Sequence, residues 1–310
     1  MGGKVLHLTK PTKLSIKNSN LVLSFDEQDV KVTLKDMSVL VFDTTLFSIS
    51  GKVLELFAKN NIAVLFVDES HTPNSILTPY HQHSTMSEVA YAQISITKEF
   101  KGRVWQQIVH HKLTNQANVL KFFQKDDGYK KLINLAQNVQ TADKNQDEAQ
   151  GARLYWRELF DSKTFRREQG SQDIINSILN YTYALIRATI TREVSANGML
   201  SVFGIWHKNR YNAFALADDL MEVFRPFCDI YVKLLLDKKY KNKVKLDTEI
   251  KRDLVKLLLF ECVDINGGKS NLLKSMEIFV KEYKKVMMGS SFKSLTFPTI
   301  HVEFFKDECL

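Results

Sequence analysis

The apolar period of this 310-residue chain changes from two to between three and four near residue 86, and no other feature constrains the fold as strongly. Leu14 and Ile16 alternate with polar residues, Asn18-Ser19-Asn20 supplies a turn, and Leu21, Leu23 and Phe25 resume the alternation. Val30, Val32 and Leu34 continue it. Ser38 to Asp43 and Ile62 to Val67 are instead continuously apolar, which suits strands buried on both faces. Between them, Ser48 or Ser50 can cap a helix through Val53, Leu54, Leu56 and Phe57 that ends at Asn60-Asn61. This start reads as a module of about six strands and one helix.

Residues 71–84 hold Pro73, Asn74, Pro79, His71, His81 and His83, and read as a loop or linker. With no acids or cysteines nearby at ligand spacing, the three histidines are expected to be exposed loop residues. Beyond residue 86, Val89, Ile94, Ile96, Val104, Ile108, Leu113 and Val119 fall at helical intervals. Gln124 to Gln146 is polar and ends in a stretch expected to be flexible. Helices are expected at 148–160, 171–193, 212–236, 247–263 and 270–288, the fourth stopping near Gly267-Gly268. Strands first and helices afterward predict an α+β chain: a β-rich N-terminal domain with its linker over 1–84, and a larger all-helical C-terminal domain over 85–310.

Hydrophobic residues at 44% and charged residues at 25% exclude a disordered or membrane-spanning chain, and apolar runs of six residues are too short to cross a bilayer. Lys4 to Lys17 alternates rather than forming an apolar core, so no signal peptide is expected. Leu6 stands where a myristoylation motif has Ser or Thr. Cys228, Cys262 and Cys309 are odd in number, widely spaced and without a CxxC pair, which predicts a reduced, cytoplasmic protein. Forty-three basic against thirty-five acidic residues, a formal +8, suit a polyanionic partner.

Chemistry concentrates between His207 and Arg225. Asp219 and Glu222 are three residues apart and share a helical face, while Phe214, Ala217, Leu220, Met221 and Phe224 form an apolar stripe opposite. Pro226 is expected to end this segment, leaving Arg225 beside the acids. A core-anchored helix holding carboxylates at a fixed angle supports a metal site. Spacing alone does not separate that from a solvated helix face with a structural histidine before it.

A second segment changes the reading. Asp147-Glu148-Ala149-Gln150-Gly151-Ala152-Arg153-Leu154-Tyr155-Trp156 resembles the glutamate motif of the CRISPR-associated spacer-integration endonucleases, in which a Tyr-aromatic pair follows Glu by seven residues. Gly204-Ile205-Trp206-His207 resembles the family's Gly-x-x-His, and the Asn-x-Phe-x-Leu-x-x-Asp-Leu-Met-Glu run from Asn212 places the third acid on Glu222. The resemblance covers nearly the whole chain. Ala149 departs from the glycine of many members, and Glu222 stands where some use aspartate; the Asp-Leu-Met-Glu-x-Phe-Arg-Pro form looks like the type II subgroup.

The resemblance implies a DNA integrase with Glu148, His207 and Glu222 as catalytic metal ligands. Two carboxylates and an imidazole suit one Mg²⁺ or Mn²⁺. It further implies attack by the 3′-hydroxyl of a foreign DNA fragment on a phosphodiester at the edge of a CRISPR repeat. Double-stranded DNA is the implied partner, with a homodimer formed through the β-rich domain and a small dimeric adaptation subunit bridging two such dimers. Asp219 then supports the site or touches the metal directly, and Asp218 is solvated. Arg225 touches phosphate or pairs with Glu222. Tyr155 and Trp156 lie near DNA or in the core, and His110-His111 lie on a helix surface. Lys112, Lys121, Arg153, Arg166, Arg167, Lys208 and Arg210 are the candidate phosphate contacts. Two other classes compete: a non-catalytic nucleic-acid-binding scaffold of the same fold, and an unrelated metallophosphodiesterase, which calls for denser His-Asp clustering than this chain has.

Overall fold

The computed structural model describes residues 3–26, 28–69, 73–77, 83–162, 164–171, 173–289 and 294–305; His71, Pro79, His81 and Cys309 lie outside them. Its first part forms strands β1 (Lys4–Leu8), β2 (Thr12–Lys17), β3 (Asn20–Phe25), β4 (Gln28–Thr33), β5 (Met37–Phe42) and β6 (Phe47–Ile49). Helix α1 (Gly51–Lys59), β7 (Ala63–Val67) and β8 (Pro73–Leu77) follow. Asn18 and Ser19 both take positive φ, 51° and 61°, so the β2–β3 hairpin closes through a two-residue turn whose twist matches its strands.

Two four-stranded sheets result, ordered β4-β3-β2-β6 and β1-β5-β7-β8. In the second, β1, β5 and β7 run parallel. Leu40, Phe42 and Val64 pack with Leu14, Leu21 and Leu23 and with Val53 and Phe57 of α1. Val39, Val41, Ala63 and Leu65, on the other face, join the core of the helical part. Cover on both faces is the physical reason Val39 to Phe42 and Ile62 to Val67 are apolar at every position. Strand β8 corrects the reading of 71–84 as loop. Pro73 begins it on the sheet edge, where a missing N–H leaves no central ladder unpaired.

The helical part comprises α2 (Met86–Ser95), α3 (Lys98–Phe122), α4 (Asp126–Asn138), α5 (Asp147–Leu159), α6 (Ile174–Ala196), α7 (Ala215–Met221), α8 (Arg225–Lys238), α9 (Thr248–Lys256) and α10 (Leu272–Met288). The long α3 packs against α4, α5 and α8, and α6 against α7, α8, α10 and β7. The β-rich start and helical remainder match the expected α+β order. Four details differ. Residues 124–146 contain α4, which buries Leu132 and Ala136. The helix expected over 212–236 is two helices broken at 222–224, and Pro226 opens the second instead of ending the first. The helix expected over 247–263 stops at Lys256. Beyond it, β9 (Glu261–Ile265) and β10 (Gly268–Asn271) form a hairpin through Asn266 and Gly267, at φ 56° and 73°. Strand β11 (Thr299–Ile300) adds a third strand, so the helical part is not all-helical. No helix among the described residues is long and apolar enough to cross a membrane.

Candidate metal and DNA site

Glu148 lies in the first turn of α5. Asp143 holds that turn in place, accepting the backbone N–H of Asp147 at 2.8 Å and of Glu148 at 3.3 Å. One turn on, Gly151 lets α5 close on α3, since a Cβ there would stand 2.2 Å from Leu113 Cδ2. Glu222 occupies the break between α7 and α8, almost wholly buried.

Asp219 organises the third element. Its carboxylate, 0% exposed, accepts the backbone N–H of Ile205 at 2.6 Å, Trp206 at 2.8 Å and His207 at 3.3 Å, and lies 2.6 Å from His207 Nδ1. A carboxylate collecting donors fixes the tautomer: Nδ1–H donates, and Nε2 keeps its lone pair. Trp105 meets the imidazole edge-on at 5.1 Å, and Lys101 donates to the Gly204 carbonyl at 3.0 Å. The Asp219 hydrogen bond raises the His207 pKa against the opposing pull of burial, and the charges of Glu222 and Glu148 add to the rise. All three sequence-expected ligands therefore share one electrostatic neighbourhood.

Lys112 stands between the two glutamates, its Nζ 2.6 Å from Glu148 Oε1 and 2.5 Å from Glu222 Oε2. Arg225 Nε is 2.9 Å from Glu222 Oε1, with the guanidinium over the Tyr183 ring. Burial works against both charges, yet the glutamates raise the Lys112 pKa, and Arg225 and Lys112 lower that of Glu222. Among the described residues no three His, Cys, Asp or Glu side chains stand close enough together to clasp an ion. The donor types nonetheless fit one. Glu222 Oε2 is buried and paired with the Lys112 ammonium at 2.5 Å, so an ion taking this oxygen would have to displace or share that cation. A cleft of about 640 Å³ opens here, lined by Glu148, Arg153, Trp156, Arg166, Glu222 and Arg225 among others.

Several expectations change. Lys112 is not a surface phosphate contact, and Arg167 is engaged with Asn176, Asn180 and the Tyr183 ring. Lys121, Arg153, Arg166, Lys208 and Arg210 are exposed. Tyr155 is fully buried and donates to Asp229 at 3.1 Å, whereas Trp156 faces the cleft. Asp218 pairs with Arg187 at 2.8 Å instead of being merely solvated. His110 contacts the Ala136 carbonyl and His111 stacks on Phe297 at 3.9 Å, so both are half-buried packing residues. Sequence reasoning missed the roles of Lys112, Asp143 and Asp229. For Lys112 a signal existed: Trp105, Ile108, Lys112, Asn115 and Val119 follow three- and four-residue steps, so the lysine sits within a buried stripe.

Gly204 is required for a close approach. A Cβ there would lie 2.9 Å from the His207 carbonyl and 3.0 Å from both Asp219 Oδ2 and Ala215 Cβ. Gly204→Ala should lower stability by about 1–3 kcal/mol, read by denaturant unfolding against wild type. An unchanged midpoint would show that the turn relaxes freely.

Comparison with known proteins follows the same line. The family model described as CRISPR associated protein Cas1 matches residues 6–258. The CRISPR-associated endonuclease Cas1 of Neisseria meningitidis is 30% identical over 288 residues, 93% of each chain. Among solved structures, a casposase bound to integration product superposes with TM-score 0.74 at 19% identity, over 99% of this chain and 94% of that one. A chain of a Cas6-RT-Cas1–Cas2 complex gives TM-score 0.72 at 19% identity, over 92% of this chain and 35% of that one. At those identities the two structures establish a shared fold.

Proposed function

The chain belongs to the Cas1 family, and from that premise we propose that it is a metal-dependent DNA integrase and endonuclease that inserts short foreign DNA fragments into a CRISPR array. The observation that carries the reading is the joining of Glu148 and Glu222 through Lys112 at a cleft edged by exposed arginines, with an Asp219-oriented His207 within the electrostatic reach of both acids. In the reaction, the 3′-oxygen of the fragment forms a bond to phosphorus at a repeat edge while the bond to the existing 3′-oxygen breaks. One phosphodiester replaces another, and the attacking hydroxyl's proton ends on the departing oxygen, so no ATP is needed. With water as the nucleophile, the same exchange is hydrolysis.

Oxygens of Glu148 and Glu222 and His207 Nε2 would hold the divalent ion. Mg²⁺ or Mn²⁺ bound there would polarise a phosphate oxygen and ease deprotonation of the attacking hydroxyl. The protein's own groups do the rest. Asp219 keeps His207 in the ligating tautomer, Arg225 fixes Glu222, and Arg153 and Arg166 present positive charge to the DNA backbone. The reading includes double-stranded DNA, a homodimer through the β-rich part and a small dimeric Cas2-type subunit. The DNA and Cas2-type parts draw support from fold neighbours solved as a casposase bound to integration product and in a Cas6-RT-Cas1–Cas2 complex, and the homodimer is part of the proposal alone.

The test is strand transfer of a short duplex into a supercoiled plasmid bearing a repeat, with the partner subunit and Mg²⁺ or Mn²⁺. Glu148→Ala, His207→Ala and Glu222→Ala should each reduce it on the order of 10³-fold, because each removes a ligand aimed at the reacting phosphate. Full activity in all three would refute the site. DNA binding with no strand transfer by wild type would instead favour a non-catalytic scaffold.

A further inference from the structure

Lys112 occupies a position that its helix otherwise gives to the core: Trp105, Ile108, Asn115 and Val119 on the same stripe are buried, and Lys112 is 7% exposed. Its ammonium joins the acid of α5 to the acid at the α7–α8 break, within 2.6 Å of one and 2.5 Å of the other. Two carboxylates are thereby balanced by two cations, Lys112 and Arg225, and the cluster is neutral as it stands. A divalent ion added with Lys112 still in place would leave excess positive charge beside the buried Glu222, even with the Asp219 carboxylate counted. Buried charge persists only when paired. The ammonium and the ion also call on the same oxygens.

We propose that Lys112 is a resident counter-cation that competes with the divalent ion for Glu148 and Glu222 and leaves toward the cleft when the ion binds. This rests on the metal-ion reading of the preceding section. Lys112 is the cation able to move. Both cations line the cleft of about 640 Å³, but Lys112 carries a flexible four-carbon stem, whereas Arg225 is held between Glu222 and the Tyr183 ring. In the cleft its charge meets the phosphodiester, so the ion's arrival and the substrate's backbone favour the same displaced position.

The experiment uses the full chain without DNA and Mn²⁺ alone as probe, with free Mn²⁺ followed by electron paramagnetic resonance and binding by calorimetry. Lys112→Met keeps the stem and removes the charge. Its Mn²⁺ Kd should fall on the order of tenfold or more, since a repelling charge within a few ångströms of the ion is gone. Without Mn²⁺ this variant should melt below wild type, and saturating Mn²⁺ should recover most of the difference. An equal or weaker Mn²⁺ affinity overturns competition and makes Lys112 a spacer for the acids. Where Lys112→Met does not fold, Lys112→Gln carries the same measurement. Glu148→Gln and Glu222→Gln distinguish loss of the competitor from loss of the metal site itself. Loss of Mn²⁺ binding in both, with unchanged affinity in Lys112→Met, overturns the competitor alone. Mn²⁺ binding indifferent to both acids, or absent from wild type, removes the metal reading and the competitor together.

Discussion

Asp219→Ala is expected to reduce strand transfer on the order of 10²-fold and to destabilise the fold by about 3–5 kcal/mol. The fold effect follows from burial: the carboxylate is 0% exposed and satisfies three backbone N–H groups in the turn before and at His207. Truncation leaves those donors without partners in a place water does not reach. The activity effect follows from the imidazole. Without an acceptor on Nδ1, neither the ring's orientation nor its tautomer is fixed, and Nε2 no longer presents its lone pair reliably to the ion. Asp219→Asn separates the two effects. Its amide oxygen can still accept from the Ile205 and Trp206 backbone, so the loss of stability should be smaller. Its NH₂ group facing Nδ1 would force that nitrogen to accept, placing the proton on Nε2 and blocking ligation. Strand transfer should then fall nearly as far as in Asp219→Ala while the melting temperature falls much less. Wild-type activity in Asp219→Asn would sink the positioning role.

That assignment shows what a sequence discloses and what it withholds. The i,i+3 relation of Asp219 to Glu222 was legible, and so was the relation of both to His207 through the motif order. Which face of α7 is covered was not legible, because the cover is a loop that returns from Gly204 to His207 and has no periodicity of its own. Lys112 was misread for a related reason. A lysine signals surface unless its neighbours' spacing is given more weight than its charge, and its two partners come from α5 and the α7–α8 break, 36 and 110 positions further along. The doubly buried strands were legible because cover on both faces leaves an apolar side chain at every position. Strand β8 was not, since Pro73-Asn74-Ser75 has loop composition and becomes a strand only because the edge of β7 offers it a ladder. The β9–β10 hairpin was hidden by Leu257, Leu258 and Leu259, which prolong an apolar helical pattern past the true helix end. Asn266-Gly267 is a strong hairpin turn, but the adjoining Gly267-Gly268 pair reads in the sequence as a helix stop.

Asp229→Asn is expected to flatten part of the protein's pH dependence. Asp229 is 0% exposed, takes hydroxyl hydrogen bonds from Tyr155 and Tyr183, and lines the same cleft as Glu148 and Glu222. Burial pushes its pKa from the ordinary 3.8 up to about 7, against those two hydrogen bonds and the fields of Arg167 and Arg225. Between those values the folded protein holds a proton that the unfolded chain has released, so stability falls as pH rises and the loss is complete above about 7. At about 1.36 kcal/mol per unit, the two units from pH 5 to pH 7 amount to roughly 3 kcal/mol, with little further change to pH 8. Asparagine keeps an acceptor for one tyrosine and a donor for the other, and it does not titrate. The unfolding free energy of wild type relative to Asp229→Asn should therefore drop by roughly 3 kcal/mol between pH 5 and pH 8, measured by urea titration at each pH. A constant difference would mean that Asp229 keeps one charge state throughout. The proton also bears on the cleft's field. Below about pH 7 a largely protonated Asp229 adds little to the negative charge of Glu148 and Glu222, so the positive charge that Arg153 and Arg166 bring to the cleft meets less opposition there.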